Sequence, residues 1–88
     1  MGNQYMQYPT TVKALAYEIK KACNDYTARK INNDQIREII FWYATKVPDK
    51  LFSAEKLNPT VIAIIGKKRE RLVNDLLDGY QRLLEDIA

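Results

Sequence analysis

Seven apolar or small residues set the strongest constraint on what this chain can fold into. Val12, Leu15, Ala16, Ile19, Ala22, Cys23 and Tyr26 fall at offsets of 0, 3, 4, 7, 10, 11 and 14. Such spacing keeps side chains on one side of a helix of ~3.6 residues per turn, whereas a strand would divide them between two faces. Residues 10–30 are therefore read as helix 1, with this stripe inward and Lys13, Lys20, Lys21, Asp25 and Arg29 on the remaining surface. Thr10 or Thr11 supplies the N-cap hydroxyl just after Pro9. Cys23 lies on the stripe and is read as a small buried hydrophobe.

A second start signal follows at once. Ile31, Asn32, Gln35 and Ile36 make a capping box with a hydrophobic staple, and Asp34 puts a negative charge in the first turn, where the helix dipole favours it. Helix 2 is predicted over 33–47, with a tight turn before it and Pro48 ending it. Ile36, Ile39, Ile40, Tyr43 and Val47 form its inner stripe, and Phe41 with Trp42 extends the apolar surface around the cylinder. Residues 1–9 carry no charge and no helical period, so they read as an extended arm. Tyr5, Met6 and Tyr8 either fold back over a hydrophobic edge or stack on a ligand.

Asp49 to Leu57 reads as a connector anchored by Leu51, Phe52 and Leu57, with room for a single turn from Ser53. Asn58 and Pro59 then give an N-cap and an N1 proline for a last helical segment, 59–87. Leu72, Val73, Leu76, Leu77, Tyr80, Leu83, Leu84 and Ile87 make its apolar side. Gly66 interrupts it, and two readings stand. Either one helix runs through an interior glycine at a cost of roughly 1 kcal/mol, or Gly66 closes a short helix and a second begins near Lys67. The predicted fold is all-α, a small bundle of three main helices. Helix 2 is central, and the last segment is either continuous or split at Gly66.

At 88 residues the chain has material for one hydrophobic core, and 47% hydrophobic with 28% charged residues is a globular balance. The net charge of +3 decides little, but its distribution is uneven. Lys56 to Arg71 carries Lys56, Lys67, Lys68, Arg69 and Arg71 against Glu70. Leu72 to Ala88 carries Arg82 against Asp75, Asp78, Glu85 and Asp86. Such asymmetry suits either a directional electrostatic contact or a plain solvated face. A lone cysteine, no long apolar run and no signal-like N-terminus point to a cytoplasmic setting without a membrane partner.

With no histidine, one cysteine and one serine, Ser53, the chain lacks the groups for Ser-His-Asp or Cys-His catalysis and for the common zinc sites. Glu18, Glu38 and Glu70 are scattered among cations. Gly2, Gly66 and Gly79 form no nucleotide-binding glycine pattern. No catalytic residue, cofactor, metal or small-molecule substrate is therefore expected. The candidate site is Gly66, Lys67, Lys68, Arg69 and Arg71, read as nucleic-acid binding, with Lys20, Lys21 or Lys56 extending it. A protein-binding adaptor or inhibitor, or a homodimer, using Phe41, Trp42 and the N-terminal tyrosines, is the alternative. An enzyme with an unrecognised carboxylate site is the third class.

Two resemblances bear on this. Ile65-Gly66-Lys67-Lys68 with the apolar pair Leu72-Val73 resembles half of a helix-hairpin-helix motif, in which backbone N–H groups at a glycine turn meet a nucleic-acid phosphate. The chain departs from that pattern at Ile64, where the motif has glycine, and at Glu70, where it has a small residue. Separately, a set of residues spread over most of the chain resembles a family of proteins of about this length from Gram-positive bacteria and their phages. That set comprises Pro9, Thr11-Val12-Lys13, Leu15-Ala16, Ile39-Ile40 with Trp42, and Asn58-Pro59-Thr60-Val61 followed by Ile65-Gly66-Lys67-Lys68-Arg69. The family resemblance implies a cytosolic or mobile-element setting and no particular activity.

Overall fold

Helix α1 spans Val12–Thr27 in the computed structural model, which describes residues 5, 7–54 and 56–87, with side-chain surroundings given as far as residue 79. The Thr11 hydroxyl caps α1 by accepting from the Ala14 N–H at 3.0 Å. Leu15, Ala16, Ile19, Ala22 and Cys23 are buried, while Val12 and Tyr26 at the ends of the stripe pack against the core only partly. Helix 1 thus stops short of residue 30. The Thr27 hydroxyl donates back to the Cys23 carbonyl, and Arg29 takes a left-handed φ of 62°. The N–H groups of Arg29 and Lys30 close on the carbonyls of Tyr26 and Asp25, so an arginine fills the helix-ending position usually given to glycine.

Helix α2, Asn33–Lys46, starts with the capping box intact: Asn32 Oδ1 accepts from Gln35 N–H, and Gln35 Oε1 accepts from Asn32 N–H, each at 2.8 Å. Ile36, Ile39, Ile40, Tyr43 and Val47 are buried, as the periodicity requires, together with Ala44. Pro48 ends α2 and also opens a one-turn helix, α3, Pro48–Leu51. The connector then makes a two-residue antiparallel hairpin, β1 Phe52–Ser53 with β2 Lys56–Leu57, turned at Ala54 with φ 58°. Helix α4 covers Pro59–Ile65 behind an Asn58 cap whose Oδ1 accepts from Thr60 N–H at 2.9 Å, and α5 covers Lys67–Ile87.

The molecule is mostly helical, and its last segment is two helices. α4 lies chiefly on α1 and α5 chiefly on α2, while α1 touches every other helix. α1 is therefore the central element, in place of α2, because its apolar stripe is the one that both α2 and α4 need. One cluster joins the interior, from Leu15 and Ile19 through Ile40 and Tyr43 to Leu51, Val61, Ile65 and Val73. The burial of Tyr80, Leu83, Leu84 and Ile87 lies outside the described side chains.

The arm folds back. Tyr5 is 5% exposed, its hydroxyl donates to an Asp25 carboxylate oxygen, and Lys21 sits over its ring. Burial, then the Asp25 contact, holds the Tyr5 phenol well above its ordinary pKa, and burial does the same for Tyr43 beneath it. Trp42 Nε1 donates to the Gln7 carbonyl at 2.8 Å, and Tyr8 packs edge-on against the indole. Met6 and residues 1–4 lie outside the described residues.

Candidate functional site

Gly66 does two jobs at once. Its N–H donates to the Ile62 carbonyl and closes α4, and its own carbonyl accepts from the Glu70 N–H and opens α5, both at 2.9 Å. The backbone there has φ 84° and ψ 167°, a region open essentially to glycine alone. Gly66 alone separates the two helices, so the chain turns from α1 toward α2 at a single residue. With glycine as the residue ahead of α5, no cap side chain can accept from the N–H groups of Lys67, Lys68 and Arg69, which precede the first bond of the helix.

The four cations at this junction divide into two kinds. Arg69 is half-buried and committed to the fold. Its Nε and Nη2 donate to Asn24 Oδ1 on α1 at 2.9 and 2.7 Å, and its Nη1 donates to the Ile65 carbonyl, the last of α4, at 3.0 Å. One planar guanidinium thereby ties α1, α4 and α5 together. Its charge also acts on Cys23, whose thiol burial pushes up to about 11 despite that opposing influence. Lys67, Lys68 and Arg71 are exposed, and none has an ion-pair partner among the described residues.

Those three charges stand near the positive end of the α5 dipole, where each cation costs on the order of 0.3–1 kcal/mol. Glu70 in the same turn offsets part of this, but its half-buried side chain lines a cleft instead of joining the exposed cations. The junction is thus an electropositive corner. Of the cations expected to extend it, Lys20 falls on the α1 row that ends at Asn24, one turn earlier. Lys21 lies over Tyr5 on the arm side, and Lys56 stands at the mouth of the cleft.

Two features of the surface are absent from the sequence-based expectations. The first is that cleft, about 470 Å³, between the hairpin, α4 and α5. Phe52, Leu57, Pro59, Ile62 and Leu77 make it apolar, with Glu70, Asn74 and Asp78 along one wall. No local pattern foretells it, since it follows from how the connector folds. The second is Tyr17, 51% exposed on α1. Its signal was present: an aromatic four residues after Lys13 and three before Lys20, off the apolar stripe. Phe41 and Trp42, expected as free adhesive surface, are both half-buried, Trp42 under the arm. Among the described residues no group of three or more His, Cys, Asp and Glu side chains could hold a metal ion, and no helix is long and apolar enough to cross a membrane.

A family model described as a conserved hypothetical protein matches residues 6–78, which takes in the arm from Met6, both long N-terminal helices, the hairpin and the Gly66 junction. No curated protein and no solved structure matches the chain.

Proposed function

Because the chain belongs to this conserved hypothetical protein family, whose description specifies no activity, we propose its function from geometry: a small cytoplasmic binding module, without catalytic activity, that engages nucleic-acid phosphates at the α4–α5 junction. The observation that carries this reading is the exposed set Lys67, Lys68 and Arg71, without ion-pair partners among the described residues, beside a glycine-started helix with no side-chain cap. Cations there destabilise the free protein slightly, and a phosphate would turn that cost into attraction by meeting both the side chains and the N–H groups of the first turn. Arg69 belongs to the scaffold that fixes this corner. A mobile-element setting, as the family resemblance implies, would give such an accessory module its context.

The test is the salt dependence of binding to a labelled oligonucleotide, followed by fluorescence anisotropy. Three phosphate contacts imply that log K falls against log salt with a slope of about −2 to −3. Replacing Lys67 and Lys68 with glutamine should flatten that slope by about 1 to 2, and the melting temperature should hold or rise, since exposed charges contribute only about 0–1 kcal/mol to folding. A double variant that binds with the wild-type slope would remove the junction from the interface. A protein–protein role is the second reading, and the apolar cleft favours it over Tyr5 and Trp42, which are engaged within the fold.

A further inference from the structure

We infer that Tyr17 is a stacking platform for a base of single-stranded nucleic acid whose phosphates run along α1 to the α5 N-terminus. This rests on the anionic-ligand reading of the junction and names the class of ligand within it. Lys13, Tyr17, Lys20 and Asn24 succeed one another at intervals of four, three and four residues, so they form one row on α1, exposed at Lys13, Tyr17 and Asn24 and half-buried at Lys20. The row carries two cations and no acid. At its end Asn24 holds the guanidinium of Arg69, and Arg69 directly follows Lys67 and Lys68 at the α5 N-terminus. The basic row of α1 therefore meets the first turn of α5 at a hydrogen-bonded point, and the inferred track runs from one to the other. From Tyr17 to Asn24 the rise along the helix is about 10 Å.

Along this track Tyr17 is the aromatic group, and it is half-exposed where Tyr5 and Tyr43 are buried. Glu18, next to it in sequence, falls about 100° around the helix from Tyr17 and so lies off the row. A ring on a backbone-tracking basic surface can offer a face to any unpaired base, without regard to sequence. A duplex keeps its base faces stacked inside, so the ring would have no partner there. That difference assigns the ligand to the single-stranded class.

The experiment compares wild-type protein, Tyr17→Ala and Tyr17→Phe in anisotropy titrations at about 50 mM salt, where screening is modest, using a labelled oligothymidylate and a duplex of equal length. The wild type should prefer the single strand. Tyr17→Ala should weaken single-strand binding about ten-fold with an unchanged salt slope, and Tyr17→Phe should retain it, because stacking needs the ring and not the hydroxyl. A thermal melt confirms that the exposed substitution leaves the fold intact. If both nucleic acids bind equally and Tyr17→Ala matches wild type, the stacking inference falls and the phosphate-binding junction stands. If wild type binds neither, both fall together.

Discussion

Gly66 and Gly79 sit thirteen residues apart and ought to respond to the same substitution with opposite signs. A Cβ on Gly66 would meet nothing closer than an Arg69 guanidinium nitrogen at 4.0 Å, so space is not the obstacle. The obstacle is φ 84° with ψ 167°, and Gly66→Ala should cost about 1–3 kcal/mol in a urea unfolding titration. Gly79 lies within α5, where an added methyl would meet nothing within 4 Å, so Gly79→Ala should gain about 0.5–1 kcal/mol from helix propensity. Equal effects at the two sites would mean that the helix runs through Gly66. The sequence could pose this alternative and not resolve it. What resolves it is Arg69 reaching Asn24, a contact spanning 45 positions that no local pattern contains.

That contact is also where three helices are coupled. Removing the Arg69 side chain leaves the Ile65 carbonyl and Asn24 without their donors, and removing Asn24 leaves the guanidinium half-engaged. Arg69→Ala and Asn24→Ala should each destabilise by about 1–2 kcal/mol, with a coupling energy of at least ~0.5 kcal/mol in the double-mutant cycle. Arg69→Lys should behave much like Arg69→Ala, since an ammonium cannot serve two acceptors in a fixed plane. Strict additivity would show that the clamp does not hold the helices together. At this level α1 and α2 were legible, because apolar spacing and the Thr11 and Asn32 caps are local signals. The end of α1 was not, since Arg29 adopts a left-handed conformation without a glycine to announce it. Nor were α3 and the hairpin, whose short segments are defined by Leu51 and Leu57 reaching the common core.

Taken together, the fold separates roles that the sequence mixes. Of four cations within five positions, one is structural and three face solvent; of the aromatic residues, Tyr5 and Trp42 fasten the arm, Tyr43 fills the core, and Tyr8 on the arm and Tyr17 on α1 are left outward. The candidate site was legible as a charge cluster, but its division was not, because which cation turns inward depends on where α1 lies. Amide chemical-shift mapping of isotopically labelled protein, titrated with a single-stranded oligonucleotide at low salt, reads that division directly. The account predicts perturbations at Gly66, Lys67, Lys68 and Arg71 and along Lys13, Tyr17 and Lys20, with the arm and the hairpin cleft quiet. Perturbations confined to the cleft around Phe52, Leu57 and Leu77, or none at any oligonucleotide concentration, would contradict it.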